Sequence, residues 1–214
     1  SPRFLLYGSG RVSNYGCEAI VRGTVTLLRE RWPGARIRYA SLSPQDDNRR
    51  LADCSVEVVR RIRWPWCMQR HPRASAWSLV GRARQRYDLP WLPNVDRFDL
   101  IENSDVVLSI GGAKTHPHSL VEFGEATLSK GKKFVVWGAS IGPFPEGQDS
   151  ARTVVLNHLR RASLITSREP RSTRYLRSNG IADIVVPCAD PAYALSSSPT
   201  AEKRTQKRIG INLS

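Results

Sequence analysis

Residues 105–112 read Asp-Val-Val-Leu-Ser-Ile-Gly-Gly, and residues 134–144 read Phe-Val-Val-Trp-Gly-Ala-Ser-Ile-Gly-Pro-Phe. Each is a short apolar run that stops on glycine. A helix-compatible segment, 119–129, lies between them. Strand, turn, helix, strand, turn is the repeating unit of an open parallel sheet. Ligands of such sheets bind beyond the carboxyl ends of the strands, which is where these glycines fall. The stretch therefore bears on the fold and on the site together.

The same rhythm extends in both directions. Upstream, an apolar strand is expected over 4–7, followed by the glycine-rich turn Gly8 to Gly16 and a helix over 17–31. The helix repeats apolar positions every three to four residues. Ser13 or Asn14 can cap it, and Pro33-Gly34 ends it. Strands are expected over 37–42 and 56–62, with a polar stretch and a short helix over 43–53. Downstream, the pattern predicts a short helix over 98–103, strands over 106–110 and 133–137, and an amphipathic helix over 150–161. A strand over 164–166, a helix over 171–178 and a strand over 184–186 complete it. This alternation is that of an α/β protein, a Rossmann-like, mostly parallel sheet with helices on both faces.

Two segments break the rhythm. Residues 63–97 carry Trp64-Pro65-Trp66, Pro72, Trp77, Pro90-Trp91 and Pro93, with a basic helix expected over 74–87. They read as an insertion or arm, or as a basic helix packed on the sheet. Residues 196–208 are polar and read as a linker. The last residues, 209–214, begin a new apolar strand. The expected organisation is a domain over 1–195, a linker, and the first strand of a second domain. A fold-back of that last strand onto the first sheet is the alternative.

Composition narrows the function classes. The 214 residues are 40% hydrophobic with six Trp, so a packed core rather than disorder is expected. No apolar run approaches the length of a membrane-spanning helix. The segment before Gly8 reads as a strand and not a leader. A cytoplasmic protein is expected, or one peripheral at the inner face of the membrane. The four cysteines are scattered without a CxxC pair, so reduced thiols and no metal site are expected, with Cys17 a minor nucleophile candidate. The net charge of +14 suits an anionic substrate, polymer or lipid surface, with the basic 63–97 region the expected contact. Nucleic acid is not expected, because no zinc-finger spacing, RNP-type aromatic motif or compact recognition helix is present.

The polar residues near the strand ends are the site candidates. In the first turn these are Asn14, Gly16 and Glu18, where helix-start N–H groups can hold an anion. Glu18 equally suits the helix dipole. The spacing Gly8, Gly10, Gly16 is not a dinucleotide fingerprint. Gly111, Gly112, Lys114 and His116 follow the next strand. Lys114 can face an anion, and His116 can shuttle a proton or sit in a surface His-Pro-His loop with His118. Asp105 reads as a cap or turn residue. Gly138 lets backbone approach a ligand, and Ser140 is the hydroxyl there, suited to hydrogen bonding. Arg168 ends a further strand, where its guanidinium can grip a carboxylate or phosphate bidentately, with Glu169 its simplest partner. Asp190 can cap a helix beginning at Pro191 or face the cleft. No catalytic residue is assigned by these patterns.

At these residues the chain resembles the polysaccharide pyruvyl transferase family. The pieces are Asn14-Tyr-Gly-Cys-Glu-Ala-Ile, 105–112, 136–144, Leu164-Ile-Thr-Ser-Arg-Glu-Pro-Arg-Ser and Asp190-Pro-Ala-Tyr, in order over 14–193. The resemblance implies the N-terminal half of a GT-B-like pair of Rossmann-like domains. It also implies transfer of pyruvate from phosphoenolpyruvate to a sugar or glycan hydroxyl pair as a ketal. Phosphoenolpyruvate would be donor substrate, with no cofactor. On this resemblance Arg168 is the anion-clamping residue, and the general acid and other basic residues lie in the second domain. The sequence departs from the family at Gly111-Gly112-Ala113-Lys114-Thr115, where relatives often carry a third Gly and an Asp. The competing expectations are a nucleotide-sugar glycosyltransferase half of the same architecture and a non-catalytic anion- or glycan-binding module.

Overall fold

The computed structural model describes residues 1–60, 97–112 and 117–196. Within them a seven-stranded sheet has the order β3-β2-β1-β4-β5-β6-β7, and its strands pair in parallel throughout. The strands are β1 (Arg3–Tyr7), β2 (Arg36–Ser41), β3 (Glu57–Arg60), β4 (Val106–Ile110), β5 (Lys133–Ala139), β6 (Leu164–Ser167) and β7 (Val185–Pro187). The helices are α1 (Tyr15–Arg31), α2 (Pro44–Arg50), α3 (Arg97–Glu102), α4 (Pro117–Ser129), α5 (Asp149–Leu159) and α6 (Pro170–Ser178). A 3₁₀ turn, Pro191–Ala194, follows β7. Expected and observed elements differ by a residue or two at their ends. The expected 56–62 strand is described only as far as Arg60. The 63–96 part of the expected arm, the 74–87 helix within it, and the 209–214 strand lie outside the described residues.

Apolar runs become central strands here because both faces of the sheet are covered. Side chains of a strand alternate between faces, and the core divides accordingly. Leu5, Tyr7, Val107, Phe134, Val136 and Ile165 lie in one cluster. Phe4, Leu6, Ile37, Tyr39, Leu108, Ile110 and Val135 lie in the other. Burying each such side chain contributes about 1.5–3 kcal/mol.

Helix α1 starts where its cap dictates. The Asn14 side-chain oxygen accepts from the backbone N–H groups of Gly16 at 2.9 Å and Cys17 at 3.2 Å. Asn14, not Ser13, is the cap. At the amino end of the sheet, Asp105 is an ion-pair partner and not a cap. It takes the Arg3 backbone N–H at 2.8 Å and the Arg3 guanidinium at 2.6 Å, joining the starts of β1 and β4. That pairing holds the Asp105 carboxyl at about 2.

Helices α4 and α5 meet around a buried histidine. His158 is 2% exposed, and its Nδ1 lies 2.7 Å from Glu125 Oε1. Its Nε2 faces Gly124, where an added Cβ would sit 2.1 Å away. A charged ring would bring an N–H against that backbone, so the neutral Nδ1–H tautomer fits. Burial pushes the His158 pKa down, against the hydrogen bond to Glu125. A base held below its unfolded value of about 6.5 stabilises the fold fully above that pH. The contribution is lost as pH falls through 6.5 towards the folded value. Burial raises the Glu125 pKa, but the bonds from His158 and Arg161 outweigh it and leave the carboxyl below its usual range. Its window therefore lies below about pH 4.3. We expect the melting temperature to drop on acidification from pH 7 to 5, and His158→Gln to reduce that drop. An unchanged pH profile in the variant would refute the assignment.

Candidate functional site

The chain runs outward from β1 to β3, returns to β4 beside β1, and then runs outward the other way. The carboxyl ends of β1 and β4 thus flank the point where strand order reverses, the usual crevice of an open α/β sheet. Gly8, Ser9 and Gly10 form one lip, and Gly111 and Gly112 form the other. Ser9 Oγ lies 3.7 Å from where a Cβ on Gly111 would be. It is buried and has no hydrogen-bond partner among the described residues. Ser9 was not among the sequence candidates; its place in a glycine turn after a strand was the available signal.

From this crevice the strand-end loops connect sideways through backbone bonds. Ser140 N–H reaches Gly112 O at 3.4 Å, Arg168 N–H reaches Ala139 O at 3.3 Å, and Cys188 N–H reaches Ser167 O at 2.9 Å. The ends of β4 to β7 therefore form one continuous rim.

After β7 the chain turns back over this rim as a strap. Pro191 packs on Gly138, whose φ is +59° and whose added Cβ would lie 2.5 Å from the proline ring. The next contact is with α1. A Cβ on Gly23 would lie 1.9 Å from the carbonyl oxygen of Pro191. The strap spans from β7 to the helix on the other side of the reversal point because two glycines leave room for its backbone.

Arg168 ties the strap to the rim. Its Nε donates to Ser140 Oγ at 2.9 Å, and its Nη1 donates to Asp190 Oδ2 at 2.5 Å. Asp190 Oδ1 accepts from the Ala192 backbone N–H at 2.9 Å, capping the 3₁₀ turn. Asp190 thus caps the turn and also faces the arginine. The side chains of Arg168 and Asp190 are 26% and 21% exposed. Nη2 carries no partner among the described residues, so the guanidinium is fixed at two points and open at a third.

Two expectations change. Glu169 is not the partner of Arg168: its carboxylate accepts from Ser172 Oγ at 2.7 Å, and that hydroxyl accepts from the Ile141 backbone N–H at 2.8 Å. At the start of α6 Glu169 is thus engaged by Ser172 and not by Arg168. Nε and Nη1 of Arg168 each already donate one bond, which leaves Nη2 for an incoming anion. Asn14 and Glu18 are committed within the fold. Asn14 occupies the first N–H groups of α1, including that of Gly16. Glu18 bonds Arg22 at 2.9 Å and Arg50 at 3.2 Å.

The structure therefore brings Ser140, Arg168, Asp190 and Gly138 together, with Gly111 and Gly112 along the same rim. Lys114 and His116 lie outside the described residues, and of His118 only the backbone is described. Cys17, Cys54 and Cys188 are free thiols. Burial pushes the Cys188 thiol up, leaving it protonated at neutral pH. Among the described residues, no helix is long and apolar enough to cross a membrane.

Comparison with known proteins gives a family and a fold. The family model described as polysaccharide pyruvyl transferase matches residues 14–213. No curated protein matches. The crystal structure of Anabaena Alr3699/HepE in complex with UDP-glucose is similar, with a TM-score of 0.54 at 13% identity. The alignment covers 89% of this chain and 44% of that one. The same protein in complex with UDP and glucose gives 0.52 at 13% identity, again over 89% of this chain and 44% of that chain. At such identity the likeness shows the fold alone, a Rossmann-like domain of the GT-B-like kind. This chain spans under half the length of these neighbours.

Proposed function

The chain belongs to the polysaccharide pyruvyl transferase family, and from that premise we propose that it is the N-terminal half of an enzyme moving pyruvate from phosphoenolpyruvate to a sugar. Two hydroxyls of the acceptor add to C2 of the enolpyruvyl group, and the bond from C2 to the phosphate oxygen breaks. One hydroxyl proton balances the methylene becoming a methyl group. The other leaves with inorganic phosphate. Such a reaction asks for donors aimed at a carboxylate and a phosphate, and for an acid at the methylene.

The observation that supports this reading is Arg168. It stands at the carboxyl end of β6 with two contacts fixing its plane and Nη2 open. A guanidinium held in this way loses little freedom when an anion arrives. We assign Nη2 to one anionic group of the donor, and Ser140 and Asp190 to positioning the guanidinium. The crevice between Gly8–Gly10 and Gly111–Gly112 suits the acceptor sugar. The general acid is assigned to the second domain.

The test uses the polypeptide extended through that domain. Incubation with phosphoenolpyruvate and a panel of acceptor sugars should release one phosphate per ketal formed. No release across a broad panel would overturn the reading. Saturation by a nucleotide sugar, with no response to phosphoenolpyruvate, would favour a glycosyltransferase instead.

A further inference from the structure

Helix α6 exposes Arg171, Arg174 and Arg177, spaced three residues apart. At 1.5 Å per residue they follow one another at roughly 4.5 Å along one side of the helix. Their inward neighbours Ser172, Thr173 and Leu176 are buried. None of the three has an ion-pair partner among the described residues. Helix α5 adds charge at the far end of the row. Arg152 donates to Asn179 Oδ1 at 3.1 Å and Arg160 to Asn179 O at 2.9 Å, beside the carboxyl end of α6. Residues 149–183 hold seven arginines against three acids.

Local stability does not account for this row. Arg171 lies in the first turn of α6, where the helix dipole disfavours a cation. Arg171 with Arg174, and Arg174 with Arg177, are like-charge neighbours that repel. Only Arg177, in the last turn, suits the dipole. A local arrangement of unfavourable sign that the core does not require points to an external anion.

We infer that the α6 arginine row docks the protein on an anionic phospholipid bilayer. The exposed residues of α6 offer charge and little else. Tyr175, its one aromatic residue, packs inward against Gly142 and Phe144, so the row has no stacking group for nucleic acid bases. No amide side chain lies on the helix to read base edges. A row of exposed guanidinium groups fits a planar array of phosphates, where each basic residue strengthens binding about five-fold. The inference uses none of the residues assigned to the reaction proposed above and does not depend on it.

The test is sedimentation of the chain with vesicles of phosphatidylcholine alone, or mixed in equal parts with phosphatidylglycerol. Binding is expected to the mixed vesicles only, and to fall as salt is raised. The triple variant Arg171→Glu, Arg174→Glu, Arg177→Glu should lose at least about 100-fold in partitioning. The triple Gln variant gives the same reading with less risk to folding. The variant Arg31→Glu, Arg49→Glu, Arg60→Glu carries the same charge change elsewhere and should retain most binding. Equal loss in both charge-reversal variants would overturn the inference in favour of net charge. Undiminished binding by the α6 variants, no binding by the parent chain, or tighter α6-dependent binding to RNA than to vesicles would also overturn it.

Discussion

Arg168→Ala is expected to lower kcat/KM for pyruvyl transfer by about 10²–10³-fold, the usual cost of removing one positioned donor from a developing charge. The measurement is phosphate release by the chain joined to the second domain proposed for it. Arg168→Lys keeps the charge but has no planar fork. Its three N–H groups radiate from a single nitrogen, which cannot span Ser140 Oγ and Asp190 Oδ2 as Nε and Nη1 do and present a further nitrogen in the same plane, so it should recover less than about a tenth of the loss. A structural contribution is separable. Removing the arginine also leaves Asp190 partly buried without its partner, at about 2 kcal/mol. Asp190→Asn retains an acceptor for the Ala192 N–H and removes only the ionic hold. It should lower activity less than Arg168→Ala while the protein stays folded. Full activity in Arg168→Ala would end its assignment to the donor anion. A loss of activity matched by a loss of folding would reassign it to fastening the strap.

Gly23→Ala is expected to destabilise the domain, against what helix propensity alone would give. Within a helix the change from Gly to Ala favours folding by about 1 kcal/mol. Here the new methyl would lie 1.9 Å from Pro191 O and 2.6 Å from Pro191 C. Both are backbone atoms, so no side-chain rotation relieves the overlap and the strap must lift. We expect a net loss of about 2–3 kcal/mol, read as a fall of roughly 5–10 °C in melting temperature. Pro191→Ala should not rescue it, because the opposing atom is the carbonyl and not the ring. The strap carries Asp190, so lifting it also frees the guanidinium of Arg168. Gly23→Ala should therefore reduce activity from a position remote from the reacting groups. A melting temperature equal to or above that of the parent chain would show that the strap does not rest on α1.

Much of the sheet was legible in the sequence. Runs such as Val106 to Ile110 and Phe134 to Val136 are too short for buried helices and end on glycine. Regular alternation with helical segments left a parallel sheet as the consistent reading. The cap on α1 was legible for the same reason, since a cap acts within a few residues of itself. The candidate site was legible as a set of separate strand-end residues and less so in its wiring. Arg168 and Asp190 were separate candidates at strand ends. That they bond each other, with Ser140 completing the set, was not apparent. Glu169, adjacent to Arg168, was the simpler partner on the page, and the start of α6 turns it towards Ser172 instead.

The amino-acid sequence by itself determined the class of fold and, through motifs in a fixed order, the family to which the chain belongs. The fold class rests on local rules, the two-residue period of strands and the punctuation of glycine and proline. Only the tertiary structure decided that residues 188–195 return across the rim, that Gly23 makes room for them, and that Asp190 fixes Arg168 with one nitrogen left open. These contacts join positions 22 to 168 residues apart. Packing and backbone approach select such pairs, and no periodicity along the chain records them.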